Sequence, residues 1–497
     1  MATINFLTIP STLRIPGVFS EVDASQANGL QIPQRTLLIG QKLSGGTATA
    51  DVAVIASNVA DAKVQFGVGS MLVSMYNQYR ITDPTTEVWF LPVADNGGGA
   101  AATGTITFGS SGSATDVTAN GALSLYIAGV SVAVGVITTN TNTVIATAVA
   151  AAINAKSDLC VTAAASTNIV TVTSRHKGIA AMDCDIRLNY LGYLNSEAIP
   201  PGLSVTIVAM SGGTLDPDIT TGLANLTSTT FDFIALPYTG SANLNLFQTF
   251  IAGRWGYTEE LFGGGFTAVN GTFSTLVSWG NARNDMHLSC LGVDSSPTPA
   301  YLIAADYCAA CAGSLIVDPA LPLGGAGDGV TMNWLAPPIA KQFSFSERNT
   351  LLYDGISTYL VEQGGRVRVE YAISTYQSNG SGQPDNSWLD VETGYTLQYL
   401  VRLLRDDLAS KFSRKKLIAN GARISAGSNF TTAQIVLNEA IALYNLQAAQ
   451  GMCQNPDEFA KNAYAVNPGN GTVQLYLPIQ LANQLRRIEM MLQFTKP

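Results

Sequence analysis

The last dozen residues of this chain alternate with a period of two. Ile488, Met490, Leu492 and Phe494 fall on one face of an extended strand, with Glu489, Met491 and Gln493 on the other. The first 33 residues carry no helical repeat either. They alternate in short stretches, Ile4 with Phe6 and Leu13 with Ile15, and are broken by Pro10, Pro16, Gly17 and Pro33. A strand needs a sheet edge, because unpaired backbone donors and acceptors are costly once buried. Two terminal strands therefore pair within their own domains or enter a neighbour's sheet. The second arrangement makes a subunit that links copies.

Composition favours extensive protein contact. Charged residues make up 12% of the 497, against about 25% in an average globular chain. So few charges on a chain of this length imply a surface that meets protein as well as water, and the length implies two to four domains. The formal charge of −9 makes nucleic acid a poor partner, since such binding rests on neutralising phosphates. No apolar run is expected to reach the roughly 18 residues of a membrane span, and no basic-then-apolar leader opens the chain. The six cysteines are scattered. Cys308 and Cys311 form the only C-x-x-C, inside an alanine-rich stretch that reads as a buried helix, so free buried thiols are expected and not zinc or redox chemistry.

The pattern along the chain predicts an α/β core interrupted by a β-rich domain. Residues 35–40 and 87–93 read as buried strands flanking a helix over 58–79, the start of a parallel layer. Glycine-rich junctions at 97–99 and 211–213 bracket a segment rich in Thr, Ala, Ser and Val, with strands at 123–127 and 169–173 and a helix over 143–156. The α/β pattern resumes with strands at 231–236 and 286–291 and helices at 242–255 and 301–312. A hairpin follows, turning at Gly364 and Gly365. The last part is helical over 395–412, and again from a capping box at Thr431–Gln434 to Gly451. The expected organisation is a terminal arm over 1–33, core over 34–97, insert over 98–213, core over 214–383, a helical or α+β domain over 384–474, and a strand arm over 475–497.

Catalytic chemistry is sparsely provided for. The only histidines are His176, expected on the surface, and His287, expected in the core. Neither lies in a nucleophile motif. Gly324 to Gly329 matches no phosphate-binding fingerprint and reads as a surface loop. Catalytic, cofactor and metal sites are all expected to be absent. Arg402, Arg405, Lys411, Arg414, Lys415 and Lys416 concentrate positive charge at one helix and its end. They either complement the helix dipole or form a basic face for an acidic partner.

The run RIPGVFSEVD at 14–23, followed by LLIGQ at 37–41, resembles the opening of contractile-tail sheath proteins. The match is fuller with the sheaths of Mu-like tailed phages, which the runs IAGVSV at 127–132, VTA at 161–163, VTVT at 170–173 and DIR at 185–187 also resemble. That resemblance implies a subtilisin-like but non-catalytic core and a subunit that stacks on copies of itself around a tail tube, with baseplate and tail-terminator proteins as further partners. It implies assembly in the host bacterial cytoplasm and residence in the virion tail. It also implies arms that add strands to neighbours, through Ile4, Phe6, Leu13, Ile15, Val18 and Phe19 at one end and Ile488, Met490, Leu492 and Phe494 at the other. The six-residue basic cluster would then face the tube. Other readings are a hydrolase, which the shortage of histidine disfavours, an adhesin, which would need an export signal, and the sheath of a phage-derived bacteriocin or secretion machine.

Overall fold

The computed structural model describes residues 34–325, 327–421 and 429–496. The N-terminal arm expected over 1–33, with Ile4, Phe6, Leu13, Ile15, Val18 and Phe19, lies outside the described residues. From Arg35 onward the chain forms one compact unit.

At its centre is a six-stranded sheet in the spatial order Leu288–Val293, Gly264–Asn270, Phe233–Ala235, Arg35–Gln41, Glu87–Val93, Val54–Ile55. Every adjacent pair is parallel except the last, which is antiparallel. The strands are apolar on both faces, with Leu37, Leu38 and Ile39 fully buried, as a parallel sheet covered by helices requires. Phe266 meets Tyr307 of the helix Ala300–Val317. At the neighbouring position, the Cβ direction of Gly265 is filled by Phe247 of the helix Ser241–Arg254. These two helices therefore cover opposite faces.

Two helical readings need correction. The stretch over 58–79 is two helices, Val59–Phe66 and Met71–Thr82. Between them Gly67 and Gly69 take φ of +90° and +79°, a conformation that other residues adopt at a cost. Ser70 then starts the second helix by accepting the Val73 N–H. The helix Ala300–Val317 runs 18 residues and is apolar enough to cross a membrane by length and composition, which the sequence reading did not foresee. It packs against the strand Gly264–Asn270 and the helix Met71–Thr82, with Cys308 and Cys311 fully buried. Asp306, mid-helix, accepts the Asn333 N–H at 2.6 Å, and burial raises its pKa to about 6. This is a core helix.

The inserted segment has a hydrophobic cluster of its own, from Ala102 to Met210. A four-stranded antiparallel sheet runs Val205–Ser211, Ala101–Phe108, Ile169–Lys177, Val161–Ser166, and a three-stranded one runs Val130–Val136, Gly121–Ile127, Ile186–Leu188. Burial alternates along Ile169–Lys177, so one face packs inward. The helix Asn142–Ala155 buries Ile145, Val149 and Ile153. The two connecting strands are tied to each other, Ala100 and Thr214 exchanging backbone hydrogen bonds of 3.3 Å.

The boundary expected at 384 does not separate two bodies. The helix Val391–Phe412 begins in the core, where Tyr395 stacks on Phe233 at 5.0 Å and donates to the Asp232 carbonyl at 2.9 Å. Farther on, a small cluster forms around Leu437, Tyr444, Phe459 and Ala463, Tyr444 stacking on Phe459 at 3.7 Å. The helix Ala433–Ala449 is capped by Thr432, which accepts the Ile435 N–H at 3.3 Å, so the box expected from Thr431 is displaced by one residue.

Candidate functional site

The distinctive surface of this molecule is its C-terminal segment. The backbone last touches the small C-terminal cluster where Gln454 N–H bonds Gln480 O at 2.9 Å and Ala482 N–H bonds Met452 O at 3.2 Å. Residues 482–496 form no helix or strand. The face expected from alternation is open to solvent: Ile488 is 61% exposed, Met490 80%, Leu492 89% and Phe494 83%. A strand within its own domain would bury that face.

One residue fixes where this segment leaves the body. Arg486 donates to Gly324 O at 2.6 Å, to Asp390 at 2.9 Å and to Glu392 at 2.7 Å, and its guanidinium lies 4.4 Å from the centre of the Tyr371 ring. Glu392, in the first turn of Val391–Phe412, has a fully buried side chain. Burial pushes its carboxyl up, and the Arg486 charge opposes that rise. Gly324, which accepts from Arg486, lies against a neighbouring strand: a Cβ there would meet the Glu370 carbonyl at 2.5 Å, and at Gly329 one would meet Val369 O at 2.1 Å. These glycines, expected in a surface loop, permit close backbone approach instead. Nothing local in the sequence marks Arg486, since its acidic partners stand more than 90 positions away.

A hairpin signalled by Asn470-Gly471 precedes this segment. Tyr464–Gly469 and Thr472–Tyr476 form an antiparallel hairpin, so residues 475 and 476 belong to it and the arm begins later than expected. Asn470 and Gly471 take φ of +54° and +74°. Asn-Gly between alternating runs is the usual signal for such a turn. Among the described residues each strand pairs only with the other, leaving two edges open, and Tyr464, Val466 and Tyr476 are exposed. A two-stranded hairpin is marginal by itself.

The basic cluster is not one face. Arg402 is buried and ion-paired with Asp232, and it also donates to Phe262 O at 3.0 Å. Arg405 pairs with Glu260 at 2.9 Å, and Lys411 with Asp407 at 2.7 Å and Glu439 at 2.6 Å. Arg414, Lys415 and Lys416 are exposed, the last lying over the Phe430 ring.

The histidines show no catalytic arrangement. His176, expected at the surface, is buried, because it joins insert to core. Its Nδ1 is 3.0 Å from Asp95, and its Nε2 accepts the Met71 N–H at 2.9 Å. Burial raises the Asp95 pKa, and hydrogen bonds from His176, the Lys177 N–H and Gln41 outweigh it and hold the carboxyl below its usual value. His287 is buried as expected, its ring tilted against Trp255 at 4.6 Å, and burial lowers its pKa to about 4. Neither imidazole is hydrogen-bonded to a Ser, Thr or Cys side chain among the described residues. The cavity beside His287, lined also by Trp388, Tyr395 and Gln398, holds about 30 Å³, room for water and not for a substrate.

The chain has clear relatives among known proteins. Residues 212–375 match the central domain of phage tail sheath proteins. The chain is 35% identical over 496 residues to the Mu-like prophage FluMu tail sheath protein of Haemophilus influenzae, covering 99% of each. Among solved structures, it is similar to the sheath tail protein of Desulfitobacterium hafniense (13% identity, TM-score 0.46, covering 95% of this chain and 98% of the other). It is also similar to the sheath tail protein of Listeria innocua (14%, 0.47, 91% and 92%) and to the contracted helical sheath of the anti-feeding prophage (11%, 0.45, 98% and 100%). Aligned end to end with its Haemophilus relative, this chain belongs to the phage tail sheath proteins and is a structural subunit of a contractile tail, not an enzyme.

Proposed function

We propose that the subunit polymerises in the bacterial cytoplasm as rings around a tail tube, between baseplate and tail-terminator proteins. In the virion, its contraction drives the tube through the host envelope. The terminal arms are the links. Ile488, Met490, Leu492 and Phe494 would complete a neighbour's sheet, and the N-terminal residues Ile4, Phe6, Leu13, Ile15, Val18 and Phe19 would do the same from the other end. The observation that carries this reading is the exposed C-terminal segment, unpaired among the described residues and held at its root by Arg486. The hairpin Tyr464–Tyr476, with two open edges, suits it as receiver.

Residues 488–497 span at most about 35 Å when extended, enough to bridge adjacent subunits. Such links let whole subunits rotate and slide as rigid bodies while the polymer stays continuous. In this reading the subtilisin-like core is a strut. Its sheet, covered on both faces, carries load and no chemistry. Electron microscopy of the purified protein is expected to show tubes of uniform width, with main-chain bonds between the arm of one protomer and the sheet of another. A map with each arm folded onto its own body would refute the linkage.

Arg414 and Lys416, both exposed, would meet an acidic tube surface. Reversing both charges is expected to stop co-assembly with tube protein while sheath-only tubes still form. Unchanged co-assembly would place the grip elsewhere.

A further inference from the structure

The sulfurs of Cys160 and Cys184 lie 3.7 Å apart. Both cysteines are buried, 7% and 3% exposed. Their positions in the fold matter more than their spacing in sequence. Cys160 immediately precedes Val161–Ser166, the edge strand of the insert's four-stranded sheet. Cys184 stands two residues before Ile186–Leu188, the edge strand of its three-stranded sheet. The two thiols therefore meet where the sheets come together, beside Tyr301 at the start of the core helix Ala300–Val317.

We propose that Cys160 and Cys184 are a disulfide-forming site, reduced in the cytoplasm where the chain is made and closed by a hydroperoxide after the particle reaches aerobic surroundings. The bond would staple the two sheets of the insert to each other. This inference is independent of arm pairing.

The two sulfurs are not equivalent. The hydrogen bond with Cys184, then that with Tyr301 and the nearby Arg175 charge, hold the Cys160 thiol below its usual range. Cys184 is pushed up by the same contact, by burial and by the flanking Asp185 and Asp183. In this proposal Cys160 is the attacking thiolate and Cys184 the resolving thiol. The Cys160 thiolate attacks the peroxide O–O bond, forming a sulfenic acid and expelling hydroxide, which takes up the thiol proton to become water. The Cys184 sulfur then attacks the sulfenic sulfur, forming the S–S bond, and its proton leaves with the departing hydroxyl as a second water. In total, two thiols and one hydrogen peroxide give one disulfide and two waters. The sulfurs close from 3.7 Å to bonding distance, about 2.05 Å, by side-chain movement at a sheet junction. Cys290, Cys308, Cys311 and Cys453 are buried, their thiols pushed up, and they should not compete.

The test treats the full-length purified protein with hydrogen peroxide. Intact mass is expected to fall by about 2 Da, and thiols titrated after denaturation to fall from six to four. Peptide mapping should join the segment holding Cys160 to that holding Cys184, and the unfolding midpoint should rise by several degrees. In Cys184→Ser, the sulfenic acid should persist at Cys160 and be trapped by dimedone. In Cys160→Ser, the loss of about 2 Da should vanish. An unchanged mass, a link between other cysteines, or oxygen added at Cys160 without a cross-link in the unmodified chain would each overturn the proposal. None of these readouts depends on either variant polymerising.

Discussion

A chain ending at Arg487 is expected to remain folded and to lose the polymer entirely. Among the described residues, 488–496 make no helix or strand and are exposed, so their removal is expected to take nothing from the described core. Fully burying a large apolar side chain contributes about 1.5–3 kcal/mol, so four of them offer each junction roughly 6–12 kcal/mol before ordering costs are subtracted. Removing that from every subunit should abolish assembly. The cut site is decisive. A cut before Leu485 would also remove Arg486 and leave the Glu392 carboxylate buried without its partner. Breaking a buried pair from one side costs about 3–5 kcal/mol, so that longer deletion would destabilise the monomer for a reason unrelated to linkage. The measurements are the thermal midpoint, expected within about 1 °C of the full chain, and sedimentation, expected to show monomer only. Tubes formed by the shortened chain would mean that the arm is not the link.

Replacing Arg402 with Met should cost about 3–5 kcal/mol, a large share of the roughly 5–15 kcal/mol that holds a folded protein together. Asp232 is 1% exposed and stands just before the central strand Phe233–Ala235. One of its oxygens accepts the Arg35 N–H at 3.0 Å, and the other is paired with Arg402. Arg402 also donates to Phe262 O, so the one side chain ties the helix Val391–Phe412 to the sheet. Without it a carboxylate is left buried with half of its hydrogen bonding. The double variant Arg402→Met with Asp232→Asn removes the uncompensated charge and should recover most of the loss. Denaturant midpoints of the two variants test this, with Lys411→Ala as the surface comparison, where no more than about 1 kcal/mol is expected. If Arg402→Met matches Lys411→Ala, the buried pair is not what holds this helix.

The elements marked by local pattern were visible in the sequence. Strand Glu87–Val93 and the helix Asn142–Ala155 fall where apolar periodicity placed them, and the hairpin of Thr358–Val361 with Val367–Tyr371 turns at the expected glycines. Asn470-Gly471 carried an equally clear signal that went unread. The charged groups behaved otherwise. Arg402, Arg405 and Lys411 look alike in sequence, as cations on one helix. In the fold one is sealed against Asp232, 170 residues earlier, and the others are neutralised at the surface.

Sequence by itself determined the alternation of the C-terminal tail, the interrupted α/β pattern and the shortage of catalytic groups, because each follows from spacing and residue type within a short window. Only the tertiary structure decided that Arg486 roots the arm, that His176 joins insert to core, and that Cys160 faces Cys184. Each of those depends on groups brought together from 24 to more than 100 residues apart. Periodicity tells which face of a strand is apolar. It cannot tell which distant charge or thiol will lie against it, because that meeting is set by how the layers pack.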